Sequence, residues 1–458
     1  GISSGLDVDV VSTYKTHTVG GSPMVAEITG VNPIIYEHKA QTGYLEYKIE
    51  DPGTAYQQRT EYSNYDTKGN PGKIIEAAAS PQQREINYTY DPRYNSKVAT
   101  ITEASVYPGG SKVITNQYDD FGNNTAITID GLKPDGSPVT RKISFSYNGP
   151  FHQLSKIDGP RTDVSDIYTI DHYPDEAAQG NNRARIKHVT LPLGITLYDN
   201  ITYTGTGKIA GYTEANNVQA TLSYYFGSDR LHSLSQIDLN TGKERLTEWT
   251  YRATGEVETI TTGKDIADRT TLTFNYDDAR RLTSIVDGLG NAIEYILDSE
   301  GNVENEKIKD NTGVIRKLLT QTFDDYNRLQ LRIQVNEQFT ETWSPNGTLD
   351  KTVDGKNVTT DYSYDNLRRL SEINQDMGGS SPQTANALTI LNYDVHDNLT
   401  YVKNPVNGET IYTYDDLGNL LSSDSNDTGL TTYSHDDAGN TTSMFDANGE
   451  TINYSYDS

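Results

Sequence analysis

The residues with the most chemical reach are acidic pairs: Asp119-Asp120, Asp277-Asp278, Asp324-Asp325 and Asp415-Asp416. Two carboxylates flanking one cleft can hydrolyse a glycosidic bond, one as acid and the other as base or nucleophile. Here the pair recurs, each time behind an aromatic residue and shortly ahead of Gly, Asn or Arg. Such repetition points to a turn device. Asp accepts backbone N–H bonds locally, and Gly or Asn supplies the positive φ that a hairpin needs. A glycan-active enzyme is an alternative that no single pair carries.

Other fragments of chemistry dissolve in the same way. Gly1-Ile2-Ser3-Ser4-Gly5 has the spacing of a nucleophile elbow but lacks the preceding strand that would strain the turn. Gly205-Thr206-Gly207-Lys208 hints at a phosphate loop, yet the upstream Gly is missing and Ile209 stands where a magnesium-binding hydroxyl belongs. The 8 His are scattered without zinc-site spacing, and His435 occupies a position held elsewhere by Tyr. Asp424, Asn426 and Asp427 cluster near Gly429, but no distal Glu completes a calcium loop. No cofactor and no metal are expected, a structural calcium ion being the one cation the Asp-rich turns would suit. No catalytic residue is assigned.

What positions these residues is a repeat. Tyr412-Thr413-Tyr414-Asp415-Asp416-Leu417-Gly418-Asn419-Leu420 is one unit, and Tyr433-Ser434-His435-Asp436-Asp437-Ala438-Gly439-Asn440 is the next. Key positions 393, 414, 435 and 456 stand 21 apart. Tyr364, Trp343, Phe323, Leu297 and Tyr276 continue the register backwards. Tyr251, Tyr225, Tyr203, Tyr173, Tyr147, Tyr118, Tyr90 and Tyr65 extend it with longer steps. Tyr412 and Tyr414 lie two apart and share one face of a strand. Asp415 to Asn419 is turn chemistry, and Leu420 resumes an extended strand. Two strands and two turns per unit predict a continuous antiparallel meander. Residues 61–458 are read as the array, truncated inside a repeat. Residues 1–60 are read as a strand-rich lead-in or degenerate repeats, with strands near Val8, Val10, Val11, Tyr44 and Tyr47 and turns at Gly20-Gly21 and Asp51-Pro52-Gly53.

Composition bounds the partners. Net charge is −26, which repels phosphate backbones and excludes nucleic acid as an expected partner. No apolar run is long enough to span a membrane. There is no Cys, hence no disulfide framework. The 33 Tyr against 8 Phe and 2 Trp mark Tyr as placed for its hydroxyl as well as its ring.

The motif Tyr-x-Tyr-Asp-x-x-Gly-Asn/Arg-Leu resembles the Rhs/YD-repeat family of bacteria, whose repeats also occur in teneurins. The resemblance covers roughly residues 60 to 458. It implies an all-β fold, one long curved antiparallel sheet wrapped into a spiral or partial hollow shell. In polymorphic toxins and Tc toxins such a shell encloses a C-terminal polypeptide. The resemblance therefore implies a non-catalytic scaffold of a secreted or surface bacterial protein, extracellular or at the cell surface, with an encapsulated C-terminal domain as a partner. The alternative is a carbohydrate-binding module for a polysaccharide or cell-surface glycan. Its candidate contacts are Tyr224, Phe226, Tyr326 and Tyr401, read as off the register, with Trp249 and Trp343, which are in register. Tyr276, Tyr364, Tyr393, Tyr414, Tyr456, Gly418 and Gly439 are expected to be structural members of the repeat.

Overall fold

The computed structural model describes residues 13–457 apart from 20–21, 30–33, 40–41, 265–267, 336 and 376–386, with side chains described from residue 34. The expectations placed on Gly1 to Gly5, Val8, Val10, Val11 and Gly20-Gly21 lie outside the described residues. Among the described residues nearly every element is a strand, and the 3-10 turns include Ala177–Asn182 and Pro192–Gly194. Consecutive strands pair antiparallel. Glu409–Tyr414 pairs with Leu420–Ser425, which pairs with Gly429–His435, which pairs with Thr441–Phe445. Pairing also runs through residue 60 without a break, from Leu45–Glu50 to Gln58–Ser63 to Lys73–Glu76.

One side chain builds each tip. In Asp415–Asn419, Asp415 Oδ1 accepts the backbone N–H groups of Leu417 and Asn419, both at 2.9 Å. Its Oδ2 accepts Asn419 Nδ2 at 2.8 Å. Gly418 N–H donates to Asp415 O at 3.0 Å, and Gly418 has φ 81°. This is a tight turn closed by a G1-type bulge, and the strand register shifts beside it between Thr413 and Tyr414. The same lock forms at Asp119, Asp298, Asp394 and Asp436 with Asn. Arg takes the place of Asn at Asp277, Asp324 and Asp365, where its Nε lies 2.8 Å from the same carboxylate oxygen. Asn and Arg alternate at that position because each offers a side-chain N–H at the required reach.

The tyrosines link one hairpin to the one before it. Tyr393 Oη donates to Leu370 O at 2.8 Å, Tyr276 Oη to Val257 O at 2.8 Å, and Tyr118 Oη to Val98 O at 2.9 Å. Leu370, Val257 and Val98 each begin the returning strand of the preceding hairpin. Pairing with the following strand begins only two residues further on, at Glu372, Thr259 and Thr100, so these part-buried carbonyls lie beyond that ladder and take a side-chain donor. Phe cannot supply one, which is why Tyr dominates. Burial pushes the Tyr393 and Tyr276 hydroxyls up from their ordinary pKa, so they remain donors. Guanidinium groups complete the packing; Arg369 lies 4.9 Å from the Tyr393 ring centre.

The chain divides into two compact units, one running to Ser144 and joined by Phe339–Asp457, the other Phe145–Gln338. Among the described residues, the buried apolar side chains are few and small: Ala77, Ile86, Ala126, Ile201 and Ala220. The largest fully buried side chains are acids, Asp51, Asp415 and Asp416. The fold is held by strand ladders and satisfied polar groups more than by an apolar core.

Candidate functional site

The first unit contains contacts that a simple meander does not require. Residues 278 to 317 apart in sequence meet along a seam. On one side are the hairpin tips at 344–348, 365–369, 394–398, 415–419 and 436–440. On the other are the loops and strand ends at 51–58, 77–84, 103–107 and 131–141. Ser344 Oγ donates to Tyr56 Oη at 3.3 Å, Gln58 Nε2 to Asn366 O at 3.2 Å, and Asn366 Nδ2 to Gln82 Oε1 at 2.9 Å. Arg84 Nη1 donates to Asp397 Oδ2 at 2.9 Å, and Arg141 Nη2 to Asn419 Oδ1 at 3.2 Å.

Asp416 anchors the seam. Its side chain is wholly buried, yet all its demands are met. Ser105 Oγ donates to Oδ2 at 2.6 Å, Leu132 N–H to Oδ2 at 2.6 Å, and Val106 N–H to Oδ1 at 2.7 Å. Asp416 N–H donates back to Leu132 O at 3.0 Å. His396 Nε2 lies 3.2 Å from Oδ1, and its Nδ1 lies 3.5 Å from Glu103 Oε2. Burial alone would raise this carboxyl, but the hydrogen bonds from Ser105, Val106, Leu132 and His396 hold it below the usual carboxylate value. The close approach also needs Gly131, where any Cβ would strike the Asp416 side chain. The cluster contains Ser, His and Asp, but in the wrong order for nucleophilic catalysis. Asp416 sits between Ser105 and His396, so the imidazole does not receive the hydroxyl proton.

Cavities open between the tips. One of about 460 Å³ is lined by Gln82, Arg84, Ser105, Leu367, Tyr393 and Asp394, among others. Another of about 370 Å³ is lined by Lys133, Thr140, Leu417, Tyr433 and His435, among others. Burial pushes the His435 imidazole below its ordinary pKa, and its buried Nδ1 has no hydrogen-bond partner. Among the described residues, no three His, Asp or Glu side chains converge to hold a metal ion.

The fold is shared with solved Tc toxin structures. A crystal structure of TcdB2-TccC3-Cdc42 matches with a TM-score of 0.60 at 14% identity, covering 93% of this chain and 24% of that chain. A crystal structure of TcdB2-TccC3 gives 0.57 at 15% identity, covering 93% and 25%. The Tc holotoxin pore of Photorhabdus luminescens gives 0.57 at 16% identity, covering 93% and 24%. The chain thus spans about a quarter of the length of those chains. No family model matches the sequence, and no curated protein does.

The residues singled out from the sequence fall in different places. Tyr276, Tyr364, Tyr393 and Tyr414 each end the outgoing strand of a hairpin, in register with its returning partner. Gly418 and Gly439 occupy the bulge, with φ 81° and 92°. Tyr456 lies beyond the strand Thr451–Asn453 and is 41% exposed. Trp343 stands at the ladder position opposite Leu349, and Trp249 lies half-buried opposite Ile260. Tyr401 lies opposite Ile411 on the other face from Tyr412, its hydroxyl donating to Glu409 Oε1 at 2.9 Å. Tyr326 sits on a tip and is half exposed, with Arg328 over its ring at 5.1 Å.

The register needs one correction. Tyr224, read as off the register, is the ladder residue: its hydroxyl donates to Ile209 O at 2.8 Å and it pairs across from Leu231. Tyr225, read as the register position, stands where Asp normally does; its N–H donates to Arg230 O. The loop 225–230 is one residue longer than 415–419, so the motif slips. Phe226 is fully exposed on that loop. The loop that carries it adjoins Trp249, whose carbonyl accepts from Tyr225 Oη at 3.0 Å.

From the sequence, no seam role is expected of Asp51, Ser105, Arg368, His396 or Asp416: Asp416 stands out only as half of an acidic pair and Asp51 only as a turn residue. One signal could have pointed to some of them. The bulge position normally carries Gly, because a left-handed φ strains other residues. Arg368 (φ 61°) and Asp397 (φ 67°) occupy it nonetheless, and both reach across the seam. In the second unit Arg280 (φ 67°) does likewise, its Nη2 donating to Thr254 O of the preceding tip at 2.7 Å.

Proposed function

We propose that this chain is a length of wall from a shell-like protein of the Rhs/YD-repeat kind, a non-catalytic scaffold of a secreted or surface bacterial protein. The observation that carries the reading is the match of 93% of the chain to the sheet of TcdB2-TccC3 structures. The tip and ladder chemistry supports it. The Asp residues that head the tips are spent on backbone donors, and the tyrosine hydroxyls on backbone carbonyls. A wall built this way tolerates wide sequence variation on its faces while its edges stay locked. The wall would shield a polypeptide belonging to the same system.

Protease protection on the full polypeptide that carries the repeats tests this. A segment outside the repeats that resists protease until the sheet is denatured is the expected result. Segments cleaved at the rate of free peptide in the native protein would overturn the container role. Loss of a measured hydrolytic activity on changing one carboxylate pair would overturn the non-catalytic part.

A second reading, glycan binding, draws on the fully exposed Phe226 ring. Sugar faces stack on such rings. Retardation of the protein in gels containing neutral polysaccharide, lost in Phe226→Ala, is the expected sign; equal mobility across glycans would discard it.

A further inference from the structure

The seam of the first unit is held at two corners by buried acids, and the two are held differently. Asp416 accepts from four donors. Asp51, only 1% exposed, has one ion pair, Arg368 Nη2 to Oδ2 at 2.8 Å. Its Oδ1 is buried without any hydrogen-bond partner, and so is Arg368 Nε. Arg368 Nη1 also lies 3.9 Å from Glu50 Oε1, so two carboxylates share one guanidinium. Both partners adopt left-handed backbone conformations, φ 51° at Asp51 and 61° at Arg368.

A buried carboxylate with an orphaned oxygen and a shared counter-charge is under-compensated. A proton relieves that. Added from solvent to Oδ1, it neutralises the unpartnered oxygen and leaves Oδ2 free to accept from Arg368. We propose that the Asp51–Arg368 corner is a proton-operated latch: Asp51 takes up a proton as the seam closes, so that this corner grips harder as pH falls. The groups facing Asp51 are Arg368 from the opposing tip and Glu50 from its own loop. Asp416 is the fixed end, because its carboxylate is already satisfied as an anion.

The titration directions agree. Burial, outweighing Arg368 and reinforced by Glu50, raises the Asp51 carboxyl above its ordinary value. A raised acid penalises the closed, ionised state, so closure is favoured below the folded pKa and weakens as pH rises through it. Asp416 is depressed and behaves in the opposite sense, losing its contribution only in stronger acid. The inference rests on the seam and stands whether or not the sheet serves as a container.

Hydrogen–deuterium exchange of the whole chain, corrected for intrinsic rates, tests it from about pH 7 down to about pH 4, towards the ordinary carboxylate value. Segments 50–57 and 362–370 should gain protection several-fold towards acid, while 105–106, 130–133 and 414–419 stay level. Asp51→Asn keeps the shape and removes the charge. It should be protected at the acid level throughout, with the slope gone. Arg368→Gln removes the counter-charge and should move the slope to higher pH. A flat or reversed slope in the natural chain overturns the latch. So does a slope that survives in Asp51→Asn, or a corner that this variant exposes at every pH.

Discussion

Two tips with the same lock have different surroundings. At Asp415–Asn419 in the first unit, Leu417 lines a seam cavity and Asp416 is fully buried. At Asp324–Arg328 in the second, Tyr326 is 49% exposed and Asp325 is open to solvent. The head Asp makes the same contacts in both, at 2.8 to 3.0 Å. The first Asp of the pair therefore belongs to the hairpin, and the second belongs to whatever the hairpin meets. An identical dipeptide is a turn device in one residue and a docking device, or nothing, in the other.

The comparison breaks most easily at the second Asp. Asp416→Ala leaves Leu132 and Val106 N–H groups and Ser105 Oγ buried without an acceptor. It should cost roughly 3–5 kcal/mol, the range for removing one partner of a buried charged network. Asp325→Ala should stay within about 0.5 kcal/mol. Denaturant unfolding, with exchange at 105–132 as the local readout, decides this; equal losses would show that Asp416 is only a turn residue. The pH sign follows from its depressed carboxyl. The stabilisation it gives is complete above the ordinary carboxylate value and is lost as pH falls through the lower folded value. Asp416→Asn should remove that acid-side loss.

Next in size is the ladder ring. Tyr414→Ala removes a partly buried ring and should cost about 2–3 kcal/mol, below the roughly 3–5 of a fully buried aromatic. Tyr401→Ala, on the other face, should cost clearly less. Thermal denaturation giving the reverse order would refute the assignment of faces.

Much of this was legible in the sequence, and the reason is locality. Asp415, Gly418 and Asn419 interact within five residues, so their pattern repeats wherever the hairpin does. Tyr393 and Leu370 are 23 apart, about one repeat, and the 33 Tyr betray the ladder. The slip at Tyr224 hid because Tyr224, Tyr225 and Phe226 offer three aromatic choices and the loop is one residue longer. The seam was hidden for a stronger reason. Ser105 and Asp416 are 311 residues apart, a distance that no repeat period encodes. The charged seam residues in left-handed positions, Asp51, Arg368 and Asp397, leave a local trace of it.

The bulge glycines sharpen the comparison at a smaller scale. A Cβ at Gly439 would strike Arg141 from across the seam as well as Asn419, and φ is 92°. A Cβ at Gly301 would meet only Arg281, at 3.7 Å, with φ 99°. Both Gly→Ala changes pay the left-handed penalty of about 1–2 kcal/mol. Gly439→Ala should exceed Gly301→Ala, since Arg141 must also leave Asn419. Equal costs would mean that the Arg141 contact contributes nothing.

The smallest expected effect tests why Tyr and not Phe fills the ladder. Tyr393→Phe keeps the ring and orphans the Leu370 carbonyl, so it should cost about 1 kcal/mol. The second unit offers the inverse change. Phe323 stands at the ladder position opposite Leu329, and Val303 begins the returning strand of the hairpin before it. Phe323→Tyr would place a hydroxyl where the other hairpins have one, aimed at the Val303 carbonyl. It should stabilise by up to about 1 kcal/mol, read as a rise in thermal midpoint. Paired signs, loss at 393 and gain at 323, would make the hydroxyl the selected feature of the repeat. A neutral Phe323→Tyr would mean that this carbonyl is already satisfied by water, and that the ladder is set by ring packing at that site.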